Sequence, residues 1–205
     1  MTGLDRLEDE TTYFDLELEG AQLAEQRAAG VTIRESRLAD VALGGSKLEA
    51  LALADVVIER GDLANVQARR ANLRAVAVSG ARMTGIALTD ATLTDVVIGG
   101  CQLDLASFAG SRLTRVTFED CVMRQADAMG AELAGVRFHG CDMTEFDLRD
   151  ARLARCELRD CRLDGLRGAD RLRGTTMPWA DIIANAGLWA AELGIGVLDE
   201  DHVGQ

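Results

Sequence analysis

At 205 residues and 22.0 kDa the chain has the length of one domain with its own core. A hydrophobic fraction of 48% with 4% aromatic and a single proline calls for an interior of small and medium aliphatic side chains. No apolar run approaches the roughly 18 residues of a membrane span, the opening residues are acidic and unlike a secretory signal, and a net charge of -12 disfavours direct contact with nucleic-acid phosphates.

Met1 to Asp15 follows no clear register and reads as an N-terminal lead-in or cap, with Glu8, Asp9 and Glu10 placed to blunt an exposed sheet edge. From residue 16 the chain counts in fives. Thirty positions in succession, from Leu18 through Leu23, Ala28 and Ile33 to Leu163, are all apolar. On an α-helix five residues advance about 500°, so these positions spiral around the axis. On a continuous strand an odd period sends successive residues to opposite faces. The chain must therefore turn once per repeat, which is the mark of a solenoid.

Two residues before each of these positions stands a second inward side chain, mostly small: Ala71, Ala81, Ala91, Cys101, Ser111, Cys121 and Ala131 are examples. The other three positions of each unit are mixed and rich in charge, as an outer surface should be. Between Val56 and Val136 the small position alternates larger and smaller with a period of ten, as when opposite walls of a four-sided coil share a character. Cys101, Cys121, Cys141 and Cys161 lie twenty residues apart and form one structural column. Twenty residues per coil makes residues 16–165 about seven and a half coils, roughly 35 Å long at a strand spacing of ~4.8 Å. Ala28, Ala68 and Ala128 are the alanines at the large inward position, and all fall on one wall. Phe118 and Phe138 face Ala128 and conserve volume; Ile58 and Val78 face Ala68 and compensate less, which predicts a less well packed coil there.

The units Ala71-Asn72-Leu73-Arg74-Ala75, Ala91-Thr92-Leu93-Thr94-Asp95, Cys141-Asp142-Met143-Thr144-Glu145 and Ala151-Arg152-Leu153-Ala154-Arg155 resemble the pentapeptide-repeat family. The resemblance covers about 150 residues without insertion. It implies an all-β solenoid, a right-handed quadrilateral β-helix. It also implies non-enzymatic function: family members include dimeric, DNA-mimicking rods that bind type II topoisomerases and protect DNA gyrase from antibiotics. The charge distribution is less suited to mimicry than the total. Residues 1–20 sum to -6, residues 181–205 hold five acids and no base, and residues 21–165 sum only to -3. The competing expectation is a protein–protein interaction scaffold with no action on topoisomerases.

Past Leu163 the count fails, because Gly168 stands where a core residue is due. Residues 166–205 read as a C-terminal cap with a helix over 178–193, capped by Thr175 or Thr176 and stopped at Gly194. Trp179, Ile182, Ile183, Ala186, Trp189, Ala190 and Leu193 share one face of about 120° and are expected to lid the last coil. Ala180, Ala184, Gly187 and Ala191 form a strip of small residues suited to a homodimer contact. Ile195, Val197 and Leu198 suggest a short strand before the acidic tail.

Little else carries chemistry. His139 and His202 lack any partner spacing for a metal or a catalytic base. The five cysteines have no CxxC spacing, and without a signal peptide the expected state is reduced thiols in the cytoplasm. Stacked cysteines invite a disulfide reading, but a cysteine standing in for alanine at the inward position explains all five. No phosphate loop or catalytic triad is present in the sequence, so neither enzyme activity, a cofactor nor a metal is expected.

Overall fold

The computed structural model describes residues 4–197, a parallel β-solenoid of about seven turns followed by short helices. Strands β1 (Thr12–Phe14), β2 (Glu17–Glu19) and β3 (Arg27–Ala29) open the coil, followed by β4 (Thr32–Ala39) and β5 (Lys47–Glu49). The middle is built on four eight-residue strands, β6 (Ala52–Glu59), β7 (Asn72–Ser79), β8 (Thr92–Gly99) and β9 (Arg112–Glu119). Three-residue strands close it: β10 (Glu132–Ala134), β11 (Arg137–His139), β12 (Arg152–Ala154) and β13 (Glu157–Arg159).

Every strand pair keeps an interval of twenty residues, and of the single bridges only Glu157 with Thr176, beyond the last full coil, departs from it. Leu53 pairs Leu73, Leu73 pairs Leu93 and Leu93 pairs Leu113, all in parallel. Single bridges on the other two walls keep the same interval, as in Arg82 with Gln102 and Ala87 with Ser107. The twenty-residue period thus places like residues in columns, and the large inward residues become one continuous core.

The corners explain the period of five. Every fifth residue from Glu10 to Gly165 has a positive φ. That left-handed conformation turns the chain through one wall boundary. Glycine adopts it freely, yet two thirds of these corners hold other residues, such as Asp40, Asn65, Ala75 and Asp90. Ladder hydrogen bonds to the next coil support most of them, for example Asn65 N–H to Thr84 O at 2.8 Å and Asp90 N–H to Ala109 O at 2.9 Å. The same column shows that the register begins before residue 16. Glu10 and Asp15 are already left-handed, and β1 pairs β4 with Tyr13 opposite Ile33. The lead-in is an incomplete first coil, hidden in the sequence because Tyr13 is aromatic and the next position of the count is Glu8, the buried Leu7 standing one residue out of phase.

Packing differs along the axis. Phe118 and Phe138 stack at 5.1 Å with an interplanar angle of 4°, flanked edge-on by Phe108 at 5.7 Å and Phe146 at 6.4 Å. Beneath them Ala128 is 2% exposed. The N-terminal half is looser: an apolar cavity of about 50 Å³ is lined along the axis from Leu7 to Leu88, with Ala68, Ile58 and Val78 among its walls.

The end of the solenoid follows from one glycine. Gly168 has φ 78°, and a Cβ there would come within 2.7 Å of Arg149 N and 2.8 Å of Leu148 C. The chain then folds a 3-10 turn, Ala169–Leu172, that buries Ala169 and Leu172 over the last coil. Thr176 adds one more rung: its N–H donates to Cys156 O and its carbonyl accepts from Leu158 N–H, both at 3.0 Å.

Candidate functional site

Two surfaces stand apart from the repetitive walls: the C-terminal cap and the acidic N-terminal coils. The cap helix is broken in two, α1 (Trp179–Ala184) and α2 (Ala186–Glu192). Asn185 leaves the helical region at φ -103° and ψ 21°, and its Nδ2 donates to Asp181 O at 2.8 Å. Neither Thr175 nor Thr176 caps it. Pro178 is the N-cap without a side-chain bond, Thr175 Oγ1 donates to Leu172 O, and Thr176 belongs to the added rung. Asp181 Oδ2 accepts the Asp160 N–H at 2.7 Å and ties α1 to the solenoid.

The break divides the face expected to lid the coil. Trp189, with Leu188 and Met177, packs against the core, and its Nε1 donates to Ile182 O at 3.0 Å. Ile182 and Ala190 are half-buried. Trp179, Ile183 and Leu193 point outward at 75%, 59% and 74% exposure, and Ala186 is exposed too. The lid is therefore the 3-10 turn together with Leu188 and Trp189. The helix face is not used whole, because its two halves turn apart at Asn185. Ala180, Ala184, Gly187 and Ala191 are all exposed. Ile195 and Val197 form no strand and are exposed, while Leu198 lies outside the described residues, as does His202.

Between turn and helices runs a groove of about 460 Å³, bordered by Leu172, Met177, Ile182 and Trp189, with Asp170, Arg173 and Glu192 at its rim. Sequence reasoning missed it, since Leu172, Met177 and Arg173 follow no period. Thr175 and Pro178 were legible only as helix-start chemistry.

The walls are laced by ion pairs one coil apart. Arg60 pairs Asp40 at 2.7 Å, Arg82 pairs Asp62 at 2.6 Å, Arg115 pairs Asp95 at 2.6 Å and Arg112 pairs Glu132 at 2.9 Å. These carboxyls include Asp40 and Asp95, whose hydrogen bonds from Arg60 and Arg115 hold them below the usual carboxylate range. Opposite charges twenty apart in sequence are their signal, readable once the coil length is known. The N-terminal coils differ: among the described residues Glu8, Glu10, Asp15, Glu17, Glu19, Glu25 and Glu35 make no ion pair. Near the other end Asp147, 3% exposed, accepts a bidentate pair of bonds from Arg149 and lies 3.5 Å from Arg167, which lowers its carboxyl.

Cys101, Cys121 and Cys141 are buried and Cys161 is half-buried, in one column on consecutive coils. His139 is half-buried on the outer face of its wall, its Nε2 buried without a hydrogen-bond partner and 3.8 Å from Glu157. Among the described residues no group of three or more His, Cys, Asp or Glu side chains is arranged around a metal position, and no helix is long and apolar enough to cross a membrane.

Residues 91–167 match the family profile described as a pentapeptide repeat region, and residues 71–108 match eight copies of the pentapeptide repeat. With the five-residue corners and twenty-residue coils above, this makes residues 71–167 a pentapeptide-repeat region. Among proteins of curated function none matches it. Solved structures similar to it include full-length QnrB1, a plasmid-mediated fluoroquinolone resistance protein, at 17% identity and TM-score 0.42, covering 90% of this chain and 100% of that one. HetL from Nostoc sp. strain PCC 7120, involved in heterocyst differentiation regulation, shares 20% identity at TM-score 0.28, covering 86% and 93%. Rfr23 from Cyanothece 51142 shares 16% at TM-score 0.23, covering 67% and 90%.

Proposed function

We propose that this protein is a non-enzymatic pentapeptide-repeat rod that acts by binding another protein, with two copies joined at their C-terminal ends. The observation that carries the reading is the apolar cap, where Trp179, Ile183, Leu193, Ile195 and Val197, half of the ten exposed large hydrophobic residues among the described ones, all fall, while Phe14, Val57, Val97, Leu105 and Met129 are scattered along the rod. Clustered exposed apolar residues mark protein contacts, whereas singly scattered ones are ordinary. The small side chains of Ala180, Ala184, Gly187 and Ala191 let a second backbone come close. Light scattering tests the pairing: the wild type is expected at twice the chain mass and Gly187→Glu or Ala191→Glu at one. A wild type that runs as a single chain at high micromolar concentration removes the dimer.

The partner we propose is a type II topoisomerase, DNA gyrase in particular, with protection from gyrase-targeting antibiotics as the outcome. The family resemblance supports it, together with the unpaired carboxylates of the N-terminal coils, the part of the rod best suited to stand in for phosphates. A supercoiling assay with purified gyrase, with and without a quinolone, is the test. Indifference of the enzyme to tens of micromolar protein would sink this reading. The ion pairs of the middle walls favour the second reading, an interaction scaffold for some other protein, because they neutralise many of the acids there.

A further inference from the structure

The two ends of the coil are closed differently. At the C-terminal end Thr176 adds a rung beside Cys156 and Leu158, and the Ala169–Leu172 turn packs on β12. At the N-terminal end residues 4–10 do less. Leu7 is 2% exposed and Leu4 packs against the core, so the interior itself is plugged. Asp9 Oδ1 accepts the Ala29 N–H and the Glu10 N–H donates to Ala29 O, both at 2.8 Å, so β3 is covered as well. Nothing among the described residues pairs with the outer edge of β1 and β2.

That edge is open in a defined pattern. Toward the second coil, the Asp15 and Gly20 N–H groups donate to Arg34 O and Ala39 O, and Thr11 O and Leu16 O accept from Thr32 and Arg37. In a parallel strand the N–H and C=O of one residue point to the same side, and those of the next residue to the other. Thr12, Phe14, Glu17 and Glu19 therefore aim both groups off the end of the rod, and all four are exposed. An edge of this kind is a template for one more strand.

Charge selects the strand. A second copy would bring the same edge with Glu17 and Glu19, and like charges placed opposite each other destabilise a strand pair. Nucleic acid would bring phosphates and meet the same repulsion. A cationic segment is attracted. The second coil shows what fits in register: Arg37 stands beside Glu17, Leu38 beside Leu18 and Arg34 beside Phe14. Arg37 turns its guanidinium to Glu59, however, so Glu17 and Glu19 keep no ion pair among the described residues. The corner adds a second condition. Asp15 has φ 55°, and the same corner holds Glu35, Asp55 and Ala75 at 47°, 58° and 53°. A segment that follows β1 into β2 needs a left-handed residue opposite Asp15, which glycine adopts with least strain.

We propose that the β1–β2 edge takes up an extended basic segment of a partner protein as one more parallel rung. Lysine or arginine stands opposite Glu17 and Glu19, an apolar residue opposite Leu18 and glycine opposite Asp15. The backbone groups of Thr12, Phe14, Glu17 and Glu19 supply the grip, and the two glutamates with the corner supply the choice of sequence. This docking needs neither paired caps nor a topoisomerase.

The test uses the full chain and an end-blocked synthetic peptide, Thr-Val-Thr-Gly-Ser-Lys-Val-Lys, written in the order that meets residues 12–19. Exchange of single amides is read by NMR at low salt. In the free protein the Thr12, Phe14, Glu17 and Glu19 amides are expected to exchange fast while those of Asp15 and Gly20 are protected. The peptide is expected to slow those four and to leave the rest of the rod unchanged. Replacing both of its lysines by glutamate, or its glycine by valine, should weaken binding about tenfold. Glu17→Lys with Glu19→Lys, both at exposed positions, is expected to reverse the preference and take the glutamate peptide instead. If that variant does not fold, Glu19→Gln is expected to bind the lysine peptide about threefold more weakly than wild type. Slow exchange of the four amides without peptide, equal binding of the lysine and glutamate peptides, protection elsewhere on the rod, or an unchanged preference in the variants would each overturn the proposal. Any of these results leaves the supercoiling test of the topoisomerase reading standing, and the reverse holds too.

Discussion

The coils around Ala68 and the coils around Ala128 carry the same small residue on the same wall and pack differently. Above Ala128 the rings of Phe118 and Phe138 close the space, and four phenylalanines form one aromatic core. Around Ala68 the opposite wall supplies only Ile58 and Val78, and a cavity of about 50 Å³ remains. In a solenoid each coil touches only its neighbours, so a volume lost in one coil is made up within a coil's reach or not at all. Residue identity at one inward position therefore says little until the facing position is read with it.

The largest effect expected is at the ring stack. Phe138→Ala removes the partner of Phe118 and should cost about 3–5 kcal/mol in urea unfolding, against a core truncation elsewhere as control. One substitution then contrasts the two regions directly. Ala128→Val pushes two carbons into the stack and should destabilise by about 1–3 kcal/mol. Ala68→Val places the same carbons in the cavity and should stabilise by about 1 kcal/mol. Equal signs for the two would break the comparison. A smaller gain is expected at a corner: Ala75, at φ 53°, pays for its left-handed backbone, and Ala75→Gly should raise stability by about 0.5–1 kcal/mol. The least is expected from charge. Arg149 lowers the Asp147 carboxyl in the folded state. Its stabilisation is therefore present above the ordinary carboxyl range and lost as pH falls through the lowered value. Asp147→Asn should be less stable than wild type at pH 7, and the gap should shrink below about pH 4 in parallel melts.

Most of the fold was legible because the repeat converts sequence directly into position. The apolar fives gave the inward residues, and the cysteines at twenty gave the coil. The first coil was less legible because Tyr13 and Glu8 break the aliphatic pattern and Leu7 is buried one residue out of phase, although Glu10 and Asp15 already hold the corner conformation. At the other end, amphipathic spacing from Trp179 to Leu193 pointed to one helix. Asn185 breaks it through a local side-chain bond that periodicity does not register. The candidate surface was only half visible for this reason: the small residues were found, but which apolar side chains stay outside depends on that break.

The left-handed corner at every fifth residue has a consequence for how such a chain tolerates change in length. Loss of a single unit, such as residues 91–95, keeps all later corners in phase yet swings the remaining rod by a quarter turn. The acidic coils would then look out along a different compass bearing from the apolar cap. Loss of a whole coil, such as residues 72–91, shortens the rod and leaves every bearing unchanged. Length and orientation of the two ends are thus separately adjustable, in steps of twenty and of five.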